Sequence, residues 1–117
     1  MDFIDCVIVP VDAARLDEYK EFAAKIDAAF IKHGALEVVD CLPVDVPDGE
    51  VTSMPKAVAL KDGELVGFAW IRWPSKEVRE AAFEKVFAED PSLSEFPFDG
   101  KRMIFGGFAP IVDLKAN

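Results

Sequence analysis

The sequence predicts an α+β fold: an antiparallel sheet with two helices on one face, running in the order β-α-β-(β)β-α-β. Three observations carry this. Apolar positions switch back and forth between strand-like runs and the 3- and 4-residue steps of a helix. Proline and glycine punctuate nearly every switch. The 117 residues hold 51% hydrophobic side chains, ten of them Phe, and 30% charged ones, a mixture that excludes disorder and fibrous or disulfide-scaffold classes. That length suits one domain spanning residues 1–117, too small to enclose a deep pocket without help from a second copy.

Phe3 to Pro10, FIDCVIVP, is too short and too β-branched for a helix and reads as the first strand. Both its odd and its even positions are apolar, so something must cover each face. From Asp12 the period changes, and Leu16, Tyr19, Ala23, Ile26, Phe30 and His33 form the stripe of an amphipathic helix capped by Asp12 and ended by Gly34. Ala35 to Val44 returns to strand character. Asp45 to Pro55 is turn-rich, and Lys56 to Leu60 with Leu65 to Trp73 reads as a hairpin around Asp62-Gly63. Ser75 caps a second helix carrying Val78, Ala82 and Val86, which stops at Asp90-Pro91. Ser92 to Phe98 connects to a last strand over Lys101 to Val112, so that Gly106-Gly107 falls inside a strand, where a glycine pair marks a bulge or the close approach of another backbone or a flat ligand.

This is the split β-α-β pattern of ferredoxin-like sheets. Its two helices cover one face, yet the strands are apolar on both. A second subunit is the expected cover, which predicts a homodimer.

Twenty-two acids against 13 bases give a formal net charge of -9, which repels a phosphate backbone, so no nucleic-acid partner is expected. The amino-terminal stretch lacks a basic region ahead of its apolar run, and no run approaches membrane-spanning length, so the expectation is a cytoplasmic protein with no membrane partner. Cys6 and Cys41 stand alone in apolar runs and read as packed thiols.

Five stretches, HGALEVVD (His33 to Asp40), DVPDGEVTS (Asp45 to Ser53), FAWIRWPSKEVRE (Phe68 to Glu80), Asp90-Pro91 and PFDGKRMIFGGF (Pro97 to Phe108), together resemble the bacterial YbaA-like family of unknown function, domain of unknown function 1428. The last is the most specific. Phe96 departs from the family's Met before Pro-Phe-Asp-Gly, and the link from the second helix to that motif is short. The resemblance implies a dimeric α+β barrel, in which paired sheets close across the dimer. It brings no established activity, and the wider barrel group includes cofactor-free monooxygenases, haem-degrading enzymes, chlorite-dismutating enzymes and ligand-sensing domains.

His33 is the only histidine and the natural proton carrier near neutral pH, although a histidine in a last helical turn also serves as a carbonyl cap. With Glu37, Asp40 and Cys41 it makes a poor metal set, because the strand alternation turns Asp40 away from the other two; no metal and no cofactor are expected. Trp70 and Arg72 share a strand face with Phe68, so Arg72 can grip a carboxylate or stack on a planar ligand, or simply pair with an acid. Asp5, isolated in an apolar strand, is either a pocket acid or the partner of Arg72 or Arg102. Asp99, Lys101 and Arg102 give a local cationic spot suited to a small anion, or a solvated strand end. The preferred reading is a homodimeric barrel that binds a small organic molecule, anionic or aromatic, through Asp5, Trp70, Arg72, Asp99, Lys101 and Arg102. A cofactor-independent monooxygenase using His33, and a structural or stress-associated interaction protein with no pocket, are the alternatives.

Overall fold

A computed structural model describes residues 2–117. Strand β1 (Phe3–Asp12) is followed by helix α1 (Leu16–Lys32), strand β2 (Glu37–Cys41), a single helical turn α2 (Met54–Ala57), strand β3 (Glu64–Trp73), helix α3 (Lys76–Glu89) and strand β4 (Ile104–Phe108). The sheet is antiparallel throughout, in the order β2-β3-β1-β4. Ferredoxin-like order is thus observed, and β3 separates the strands that carry Cys6 and Cys41, both free thiols.

The helix ends follow local chemistry. The Asp12 carboxylate accepts the Ala14 N–H at 2.9 Å and starts a short 3-10 turn that leads into α1. Gly34, at φ +114°, ends α1 as expected. Ser75 accepts the Val78 N–H at 3.2 Å and opens α3.

Two expected strands differ. Lys56 to Leu60 is not a hairpin arm. Ser53 accepts the Lys56 N–H at 3.1 Å and Pro55 fits a first helical turn, so this stretch coils into α2 and buries Val58. The last strand is shorter than expected, because Asp99 accepts the Lys101 N–H at 3.0 Å and folds Gly100–Arg102 into a 3-10 turn, while Pro110 has no N–H to continue a ladder. Conversely, β1 runs past Pro10: beyond Ile8 it pairs with β3 alone, and a free edge tolerates a residue without an N–H.

Register assigns the faces. Asp5, Val7 and Val9 of β1 lie opposite Ile71, Ala69 and Gly67 of β3, beneath the helices. Ile4, Cys6 and Ile8 lie opposite Arg72, Trp70 and Phe68, on the face turned away. The buried residues beneath the helices gather in two clusters, one around Ile26, Phe30, Trp73, Ala82 and Val86 and one around Val9, Val11, Tyr19 and Ala23. Gly107 is required by the first of these. A Cβ there would meet the Phe3 ring at 2.1 Å, so the close neighbour of the glycine pair is the chain's own Phe3.

Candidate functional site

Between the two core clusters lies a half-open cavity of about 220 Å³. Small residues leave the space: Ala23 on α1 and Ala69 on β3 both line it, where longer side chains would fill it. Seven of the ten Phe residues (22, 30, 83, 87, 96, 98 and 105) form its walls. Phe96 and Phe98 stack at 5.1 Å between centroids, only 3° from parallel, and Phe22 meets both edge-on. Such walls favour a flat, largely apolar occupant.

Two polar groupings interrupt the apolar lining. The first is Tyr19, Asp27 and Asp40, brought together by α1 and β2. The Tyr19 hydroxyl donates to Asp40 Oδ1 at 3.3 Å, and Asp27 stands beside Asp40 in the same wall. Burial, and then the neighbouring Asp40 carboxylate, hold the Asp27 carboxyl well above the usual carboxylate range, so Asp27 keeps its proton at neutral pH. Burial and the Asp40 charge likewise raise the Tyr19 phenol and keep it protonated. Tyr19, Ala23, Asp27 and Asp40 also line a second, more polar groove with Lys20, Cys41 and Leu42, so the carboxyl pair stands in the wall between cavity and groove.

The second grouping centres on Asp5, which is 3% exposed. Trp73 Nε1–H donates to its Oδ2 at 2.9 Å, and Arg79 Nε lies 3.4 Å from the same oxygen. The Arg79 guanidinium is held over the Phe3 ring, 4.7 Å from its centroid, and 5.2 Å from that of Phe83. Asp5 Oδ1 has no hydrogen-bond partner among the described residues. Burial pushes the Asp5 carboxyl up, and Arg79 and Trp73 pull it back in part.

Of the six ligand contacts expected from sequence, Asp5 alone lines this cavity, and of the weighed metal set only Asp40 does. The partner of Asp5 is Arg79 rather than Arg72 or Arg102, because alternation along the strands puts Asp5 and Arg72 on opposite faces. Arg72 instead pairs with Asp2 and Asp113, and Trp70 lies beside it on the face away from the helices. Arg102 clamps Glu64 through two bonds of 2.7 Å, reaches Asp99 at 2.9 Å and the Ala59 carbonyl at 3.1 Å, while Lys101 is exposed in the same turn. That clamp lowers the Glu64 carboxyl to about 2. His33 sits at the end of α1 with Nε2 2.9 Å from Glu89 Oε2, outside the residues lining the cavity. Among the described residues no three His, Cys, Asp or Glu side chains form a metal-holding group.

Sequence reasoning missed Tyr19 and Asp27 as polar groups of a site. Their signal is positional: Tyr19, Ala23 and Asp27 recur at four-residue steps along the buried stripe of α1, so an acid is registered with apolar side chains.

Residues 2–105 match the family described as "Protein of unknown function (DUF1428)". The chain belongs to this family. The uncharacterized protein YbaA of Escherichia coli (strain K12) is 49% identical over 97% of this chain and 99% of its own length, and the YbaA of Shigella flexneri matches equally well. Among solved structures, a monooxygenase from the gene ActVA-Orf6 of Streptomyces coelicolor, in complex with nanaomycin D, has a TM-score of 0.61 at 15% identity, covering 99% of this DUF1428 chain and 93% of the other. SnoaB, a cofactor-independent oxygenase from Streptomyces nogalater, gives 0.57 at 16% identity over 98% and 96%. A dimeric ferredoxin-like protein from an uncultured marine organism gives 0.54 at 11% identity over 98% of each chain. At such identities these likenesses establish a shared ferredoxin-like fold. No helix is long and apolar enough to cross a membrane among the described residues.

Proposed function

We propose that this chain binds a small, flat, mostly apolar organic molecule in the cavity between sheet and helices, with Asp27, Asp40, Tyr19 and Asp5 as its polar contacts. The observation that carries this reading is the hollow itself. A protein that served only as a structural barrel would gain from filling it, since an unfilled apolar void costs about 24 cal/mol for each Å³. Seven phenylalanines instead surround space held open by Ala23 and Ala69. The monooxygenase solved with the ligand nanaomycin D is a case of this fold holding a small organic molecule.

The same reading includes a homodimer in the cytoplasm. Ile4, Cys6 and Ile8 of β1, Phe68 and Trp70 of β3 and Ile104 and Phe108 of β4 share the sheet face opposite the helices, a contiguous apolar face that a second copy would cover. The marine ferredoxin-like relative in fold is dimeric. Free cysteines suit a reducing compartment.

The candidate contacts Trp70, Arg72, Asp99, Lys101 and Arg102 belong, in this reading, to the dimer face and its rim rather than to the ligand. Saturation-transfer NMR with β-tetralone, a neutral bicyclic aromatic ketone, tests the assignment. Ala69→Leu should abolish the transfer and Trp70→Ala should leave it intact. The opposite pattern would move the pocket to the dimer seam. Native mass spectrometry of freshly purified protein reports the dimer mass and any retained molecule together.

A further inference from the structure

We propose that Asp27 and Asp40, neighbours in the wall that separates the cavity from the polar groove, form an acid–base pair that enolises a carbonyl compound bound there. This rests on the ligand-binding reading above and adds a reaction to it. Three observations converge. The pair faces an apolar aromatic cavity on one side and the polar Lys20 groove on the other, so a proton held there is in contact with both an apolar compartment and a polar one. Tyr19 donates to Asp40 Oδ1 at 3.3 Å, which marks Asp40 as the accepting side of the pair, while burial holds the proton on Asp27. At the same cavity Asp5, 3% exposed, keeps Oδ1 without a partner among the described residues, an acceptor or acid ready for a polar group on the occupant.

The chemistry needs no oxidant or cofactor. Asp40 takes the α-hydrogen as a proton; the C–H electron pair becomes the C=C bond; the carbonyl π pair takes the Asp27 proton and becomes the enol O–H. The site then still holds one proton, now on Asp40, and it returns to the neighbouring Asp27. Reversal restores the ketone. If the proton is exchanged with solvent from the groove side before reversal, the α-hydrogen is replaced by a solvent hydrogen. Substrates of this site are enolisable ketones or aldehydes attached to an aromatic or similarly flat apolar body, and return of the proton to a different carbon makes the net reaction an isomerisation.

The test follows the α-hydrogens of β-tetralone in deuterium oxide by proton NMR, with saturation transfer on the same sample reporting binding. Full-length protein should speed exchange at least about 100-fold over buffer, Asp40→Asn should return it to the buffer rate at a β-tetralone concentration where saturation transfer still reports bound ketone, and Tyr19→Phe should slow it about tenfold. Bound β-tetralone that exchanges no faster than in buffer overturns the acid–base role and leaves the binding reading standing, whatever the variants do. Unchanged exchange in both Asp27→Asn and Asp40→Asn also overturns it. A β-tetralone that shows no transfer at all sinks both readings.

Discussion

The two faces of one sheet solve opposite problems. Beneath the helices, alternate residues of β1 and β3 present Asp5, Val7, Ala69 and Ile71 to a hollow that the protomer encloses with its own Phe side chains. On the other face the same strands present Ile4, Cys6, Ile8, Phe68 and Trp70, with no layer of the chain's own helices above them. Apolar composition is common to both. What separates them is the source of the cover: one face is closed by α1, α3 and the Phe96–Phe98 segment, the other by a second copy under our proposal. A pocket and an interface therefore arise from a single two-residue period.

Four substitutions break or sharpen this comparison. The largest effect is expected from Trp70→Glu, which places a charge in the centre of the open face: the dimer should weaken by about 2–4 kcal/mol, read as a shift to monomer in sedimentation at micromolar concentration, with cavity ligands still bound. Next comes Gly107→Ala on the covered face. Its new methyl would lie 2.1 Å from the Phe3 ring, and overpacking of that kind costs about 1–3 kcal/mol, visible as a lower midpoint in urea. Ala69→Leu fills the hollow; β-tetralone binding should fall at least tenfold while stability changes by less than about 1.5 kcal/mol, because the added atoms enter empty space.

The smallest effect belongs to Asp27→Asn. The Asp27 carboxyl is raised in the folded chain, so the folded state holds a proton that the unfolded state has already released above pH 4 or so. Its stabilising contribution is complete below the unfolded value and drains away as pH rises through the raised folded value. Asp40 from β2, and Tyr19, Lys20 and Cys41 around the shared wall, are the groups that face it. An asparagine amide stands beside Asp40 without a proton to lose. Chemical-denaturation profiles from pH 5 to 9 should therefore be flatter for the variant, by about 1 kcal/mol at the alkaline end. Equal slopes would remove the proton held on Asp27.

Much of the architecture was legible because it depends on local signals. Asp12, Gly34 and Ser75 mark helix ends whatever the tertiary context, and the two apolar faces of β1 foretold a sheet that needs two covers. Lys56 to Leu60 was misread since Val58 and Leu60 suit a strand, while the deciding signal, the Ser53 cap with Pro55 behind it, lies just upstream. The candidate site was read less well for a geometric reason. Polar residues conspicuous in the chain, Arg72 and Arg102 among them, are conspicuous because they occur at strand ends and turns, where they find carboxylates. Asp27 and Tyr19 are hidden in an otherwise ordinary helix stripe and acquire meaning only when β2 sets Asp40 beside them. Asp5 was noticed, but its partner Arg79 comes from α3, and no strand register names it.

The stacked pair Phe96 and Phe98 bears on rates as well as on affinity. Apart from Met103, every other wall of the hollow is built on helix or sheet, whereas these two rings ride on the stretch between the short turn Pro91–Ser94 and the turn Gly100–Arg102. Loop segments move in nanoseconds to microseconds, faster than packed helices slide past one another. An occupant's residence time would then be set by how often two rings unstack, so shortening either side chain should speed both entry and exit, exit the more because a wall contact is lost with the ring.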